Sequence, residues 1–135
     1  MNRLAIDPGD EHVGWAYDGP EGLDAGEWKP TESTDRLTHL LTLGMVDEVI
    51  VEEFRLYDRE YANQTWSPMK TSQLIGAIKL ICHWFRIPLI EQGAYVKKPT
   101  RAKMKVRGVQ HHPGSIHSRD AELHLYYRKW RSASP

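Results

Sequence analysis

The spacing of the apolar side chains changes partway along this chain, and that change limits the fold more than any other feature. Up to Trp28 they recur in steps of two: Arg3-Leu-Ala-Ile-Asp7 is stopped by the turn pair Pro8-Gly9, and Val13-Gly-Trp-Ala-Tyr-Asp18 and Leu23-Asp-Ala-Gly-Glu-Trp28 flank Gly19-Pro20. This predicts three antiparallel strands in a meander. Then the period lengthens. Leu37, Leu40 and Leu41 repeat at helical spacing, with Ser33 or Thr34 as N-cap and Gly44 as C-terminal cap, which predicts a helix over 34–43. Val49-Ile-Val-Glu52 reads as a buried strand. Leu74, Ile78, Ile81 and Phe85, with Ile75 and Cys82, give a wide apolar helical face from about Lys70 to just before Pro88. Pro88-Leu-Ile-Glu91 reads as a last short strand, and Ile116 to Arg131 as a helix capped near Ser115. Residues 54–69 are rich in rings without clear period, and 93–115 are basic and read as irregular. The order βββαβαβα predicts an α/β fold, a mixed sheet with helices packed on it.

At 135 residues and 15.6 kDa, with 40% apolar and 27% charged residues, the chain has material for one core and is expected to form a single domain over 1–135. The longest mostly apolar stretch, Leu74 to Ile90, is interrupted by Lys79, His83 and Arg86, so no membrane span is expected. Cys82 is the single cysteine, and the opening residues lack a leader's apolar run. A cytoplasmic, reducing location is the expectation, the host cytoplasm for a phage-encoded chain.

The formal net charge of zero conceals a division. Residues 1–68 hold 5 Lys and Arg against 15 Asp and Glu, and residues 69–135 hold 13 against 3, so the halves carry −10 and +10. A basic half of this kind fits a polyanionic partner, although the two halves can also neutralise each other across the fold.

Asp7 and Glu52 each stand where a buried strand runs out, and Asp120 follows His117 by one helical turn. If the first and fourth strands are neighbours, their acids meet at one sheet edge with the last helix across them. Carboxylates so placed repel, and cannot all ionise without a cation. Hard oxygen donors suit Mg²⁺ or Mn²⁺, and a pair of such ions is a known clamp for displacement at phosphate. Each piece is weak alone: Asp7-Pro8-Gly9 is by itself a turn, and Glu52 a strand end.

Together these residues resemble a known family. Leu4-Ala-Ile-Asp-Pro-Gly9 followed by Gly14-Trp-Ala-Tyr17 is similar to the opening hairpin of the RuvC-type Holliday junction resolvases, in the ribonuclease H-like superfamily. Val49-Ile-Val-Glu52-Glu-Phe54 resembles their fourth strand, His117-Ser-Arg-Asp120-Ala the metal-binding start of their last helix, and Pro88-Leu-Ile-Glu91 with Val96-Lys-Lys98 their fifth strand and the basic segment after it. Within that family the chain resembles the short bacteriophage kind.

The resemblance implies a ribonuclease H-like mixed five-stranded sheet flanked by helices. It implies two Mg²⁺ ions per site, replaceable by Mn²⁺, held by Asp7, Glu52, His117 and Asp120, with Asp7 between the ions. One ion would activate the attacking water and the other would stabilise the leaving 3′ oxygen, giving a 5′-phosphate nick. Glu53 is expected on the opposite sheet face from Glu52. Lys97 or Lys98 corresponds to the family's catalytic lysine near the cleaved phosphate. The span from Lys98 to His117 is shorter than in cellular members, which would leave Lys103, Lys105 and Arg107 on a looser phosphate-binding loop with Arg101 and Lys98. Phe54, with Tyr57 as its rival, would stack on bases near the branch point. A homodimer cutting branched DNA, chiefly four-way junctions, is the implied assembly. A YqgF-like RNA-processing nuclease and a non-catalytic nucleic-acid-binding module are the alternatives. His111-His112 lacks partners at ligand spacing, Cys82 reads as a buried hydrophobe, and Gly9 as a turn residue.

Overall fold

The computed structural model describes residues 1–53 and 66–133. Its five strands are β1 (Arg3–Asp7), β2 (Val13–Gly19), β3 (Gly22–Trp28), β4 (Glu48–Glu52) and β5 (Leu89–Gln92). They form one sheet in the order β3-β2-β1-β4-β5. The β1–β2 and β2–β3 pairs are antiparallel, and β4 runs parallel to both β1 and β5. Thus the meander of the first 28 residues supplies three of the five strands and the helix-separated strands supply the other two.

Helices α1 (Pro30–Thr42) and α2 (Trp66–Trp84) cover one face, where Leu37, Leu41, Ile78 and Cys82 pack on Leu4, Ile6, Val13, Trp28 and Val49. The other face is shallow. Ala5 pairs with Ala16 and Ala16 with Ala25, so three small side chains make a trough across the antiparallel strands, beside Ile50. Helix α4 (Ile116–Ser132) lies in it through Ala121 and Leu125. Helix α3 (Lys97–Arg107), preceded by a 3₁₀ turn at Ala94–Val96, packs on α4.

Three boundaries differ from the sequence-based expectation. First, α1 begins at Pro30, not near Thr34. Pro at the first helical position needs no hydrogen-bonding N–H, and the Lys29 N–H is satisfied by Glu32 Oε1 at 3.0 Å, which leaves Ser33 inside the helix with its hydroxyl donating to the Lys29 carbonyl. Second, α2 begins at Trp66 and ends at Trp84, short of Pro88, where Arg86 takes a left-handed φ of 57°. Third, residues 97–107 are helical, so Arg101, Lys103, Lys105 and Arg107 stand on α3 and not on a loose loop. Pro99 falls in the first turn, where it is tolerated. Thr100 and Met104 form a narrow buried stripe, and Gly108 ends the helix at φ 68°. A helix with so few apolar positions hides from a search for periodicity.

Candidate active site

The strands alternate side chains, so Arg3, Ala5 and Asp7 share the α4 face of β1, and Glu48, Ile50 and Glu52 share it on β4. The parallel register pairing Ile6 with Val51 carries Asp7 level with Glu52 at the carboxyl edge. Helix α4 crosses above. Ser115 caps it by accepting from Ser118 N at 3.2 Å, which sets His117 and Asp120 in its first turns. Gly14, opposite Asp7 on β2, lets that helix start approach the sheet, since a Cβ there would overlap the His117 carbonyl. His117 Nδ1 consequently lies 3.8 Å from Asp7 Oδ2, and its ring lies 5.5 Å from that of His12.

Lys97, the first residue of α3, completes the group. Its Nζ stands 3.3 Å from Glu52 Oε1, 3.4 Å from Glu52 Oε2 and 3.5 Å from Asp120 Oδ2. Lys98 is exposed and makes no contact with these carboxylates among the described interactions, so of the two lysines it is Lys97 that the fold turns into the cluster. His124, by contrast, was not foreseen from sequence. Its fully buried ring presents Nε2 to Glu52 Oε2 at 3.2 Å and Nδ1 to Gln92 Oε1 at 2.8 Å. The clue was present, because 117, 120 and 124 recur along one helical face.

Burial pushes the Asp7 carboxyl up, and the Glu52 and Asp120 charges push it further, to about 8. For Glu52, burial acts in the same upward direction, but hydrogen bonds from His124 and Asp7 and the Lys97 charge outweigh it and bring the group down to about 2. The two carboxyls thus oppose each other's ionisation, and burial and the Glu52 charge favour the protonated form at Asp7. Lys97 is held above its ordinary value: burial would lower it, and Glu52, Asp120 and Asp7 reverse that.

Among the described residues no three acidic, histidine or cysteine side chains are set as a ready-made ion shell. The donor set nonetheless fits a hard divalent cation. Three carboxylates and an imidazole converge, and the Asp7 proton and Lys97 ammonium are the positive charge they gather as they stand. His111 and His112 lie elsewhere. His111 Nδ1 is 3.1 Å from the fully buried Glu122, and the His112 N–H donates to the same carboxylate at 2.8 Å, so both tie the loop before α4 to that helix. Phe54 and Tyr57 fall outside the described residues.

The remaining basic residues separate into two groups. Lys103 Nζ and the Arg107 guanidinium lie 5.3 and 4.5 Å from the Trp130 ring centroid, Arg128 pairs with Glu48, and Lys129 with Asp18. Lys98, Arg101 and Lys105 recur along one exposed side of α3.

Strand order, the mixed pairing and the helices on both faces define the RuvC, or ribonuclease H-like, fold. Among solved structures, Thermus thermophilus RuvC in complex with a Holliday junction substrate superposes with a TM-score of 0.75 at 18% identity, covering 98% of this chain and 94% of that one. A second structure of Thermus thermophilus RuvC gives 0.65 at 20% identity, with 98% and 95% covered. YeaZ from Pseudomonas aeruginosa gives 0.52 at 13% identity, with 80% and 52% covered. No family profile and no curated sequence matches the chain. At these identities the likeness is one of fold.

Proposed function

We propose that this chain is a divalent-metal-dependent endonuclease that cuts branched DNA, four-way junctions above all. The observation that carries the reading is the convergence of Asp7, Glu52, His117, Asp120 and Lys97 at the carboxyl edge of β1 and β4, on a fold shared with a RuvC bound to a Holliday junction. The four non-lysine residues would hold two Mg²⁺ or Mn²⁺ ions, which supply Lewis acidity at the attacking water and at the leaving 3′ oxygen. Lys97, 3.3 Å from Glu52 and 3.5 Å from Asp120, would bring a positive charge to the scissile phosphate, and Asp7 would hold a cation in its ionised form. Lys98, Arg101 and Lys105 would follow a phosphate backbone leading from the site, while Lys103 and Arg107 serve it only by leaving Trp130. A homodimer would place two such sites on symmetric strands. Exposed Leu80 and Trp84, one turn apart on α2, offer an apolar face for it.

The deciding experiment incubates the protein with synthetic four-way junction, flap, duplex and structured RNA across a Mg²⁺ titration. Metal-dependent nicking of the junction, abolished by Asp7→Asn with binding retained, is expected. Preferential cleavage of RNA would transfer the reading to a YqgF-like nuclease, and no turnover on any substrate would leave a binding module.

A further inference from the structure

His124 occupies a position where packing alone asks for an apolar residue. It sits on the stretch of α4 that carries Ala121, Leu123 and Leu125, all buried, and is itself wholly buried. An imidazole with two polar nitrogens is costly there unless both are bonded. Both are, to Glu52 and to Gln92, and Gln92 is the residue paired with Glu52 across β4 and β5. A carboxylate can only accept, so Nε2–H points at Glu52. Gln92 presents its amide oxygen to Nδ1 at 2.8 Å, so both ring nitrogens have a partner.

We infer that His124, braced by Gln92, is the positioning residue that fixes the orientation of the Glu52 carboxylate for cation binding. The inference rests on the metal-dependent reading above and names a residue that reading does not use. Lys97 also reaches Glu52, but its side chain is partly exposed and mobile in principle about four bonds, whereas the His124 ring is locked by the sheet. The ring holds Oε2 at 3.2 Å from behind, while Lys97 Nζ, 3.3 Å from Oε1 and 3.4 Å from Oε2, and the Asp7 carboxyl meet the same group from the side of the cluster. A cation that displaces the ammonium then finds a carboxylate already aimed, and loses no free energy in ordering it. Hydrogen-bond partners of ligating carboxylates typically carry 10–100-fold in metal affinity or activity.

The test is Mn²⁺ binding to the full chain without DNA, by titration calorimetry, alongside cleavage and thermal melts. His124→Leu is expected to weaken Mn²⁺ binding about 10–100-fold. It should raise the Mg²⁺ concentration needed for half-maximal junction cleavage, with metal-free junction binding unchanged. His124→Gln, whose amide reaches where Nε2 stands, should recover most of the affinity. His124→Asn, which reaches only toward Gln92, should not. Equal Mn²⁺ affinity in the Gln and Asn variants would overturn the inference even if the Leu variant fails to fold. Mn²⁺ binding lost in Glu52→Gln but unchanged in His124→Leu would overturn it while sparing the nuclease reading, whereas no saturable binding by the unsubstituted chain would overturn both.

Discussion

Asp7 is the residue at which stability and the proposed chemistry pull apart. Its carboxyl is ordinarily half-ionised at 3.8 and holds its proton to about 8 in the fold, because burial and Glu52 oppose the charge. The folded chain therefore binds a proton that the unfolded chain releases, and the resulting stabilisation, complete below 3.8, is lost as pH rises through about 8. Metal-free melting temperatures should show this decline between those limits, and Asp7→Asn should flatten it and raise the melting temperature at neutral pH while ending cleavage. Divalent cation should restore stability to the unsubstituted chain only. Gly14 bears on the same site through shape. An added methyl would strike the His117 backbone, so Gly14→Ala should lift the start of α4 from the sheet, reducing cleavage about 100-fold through misplacement while circular dichroism stays near native. Asp7, Glu52, His117 and Asp120 were legible because each sits at an element end that the sequence marks. Lys97 against Lys98 was not, since neighbouring residues in an unrecognised helix differ by about 100° in direction, and only the start of α3 decides which one turns inward.

Among the elements, the ones with strong periodicity were read closely and the weakly patterned one was missed. Strand β1 and helix α4 lie where alternation and the Ser115 cap put them. Helix α3 escaped because its apolar stripe is reduced to Thr100 and Met104, with Pro99 and six cations around them, and its existence depends on α4 being there to pack against. Three of those cations form a exposed row. Replacing Lys98, Arg101 and Lys105 with Ala should leave folding intact and lower the slope of log binding constant against log salt by about 1 per residue. The end of α2 carries a local cost, since Arg86 holds φ at 57° where a side chain is disfavoured. Arg86→Gly should raise stability by ~1 kcal/mol in chemical denaturation, the usual penalty for a left-handed non-glycine residue outweighing the added chain entropy.

Across the whole molecule, α4 packs over β1 to β4, starting at the carboxyl ends of β1 and β4 and tied down again at their amino ends. Arg128 donates to both oxygens of buried Glu48 at 2.9 and 3.0 Å, and Arg3 Nε reaches the same carboxylate at 3.2 Å. Hydrogen bonds from Arg128 hold the Glu48 carboxyl below its ordinary range, so this clamp stabilises the fold above the ordinary pKa and is lost as pH falls through the depressed value. Glu48→Gln should cost ~3 kcal/mol by denaturant unfolding and should remove part of the acid sensitivity. Here the acidic and basic halves of the chain meet: Glu48 with Arg128, Asp18 with Lys129 and Glu52 with Lys97 cross from one to the other, so part of the opposed charge is neutralised within the fold. The sequence by itself determined the elements other than α3, their order and the acids at their ends, because strand and helix periods and turn residues act over a few neighbours. Only the tertiary structure decided that Lys97 enters the cluster, that His124 and Gln92 stand behind Glu52, and which cations are exposed on α3. Those outcomes depend on register between β4 and β5 and on the seating of α4 in the alanine trough, contacts between segments far apart in the chain that no local pattern encodes.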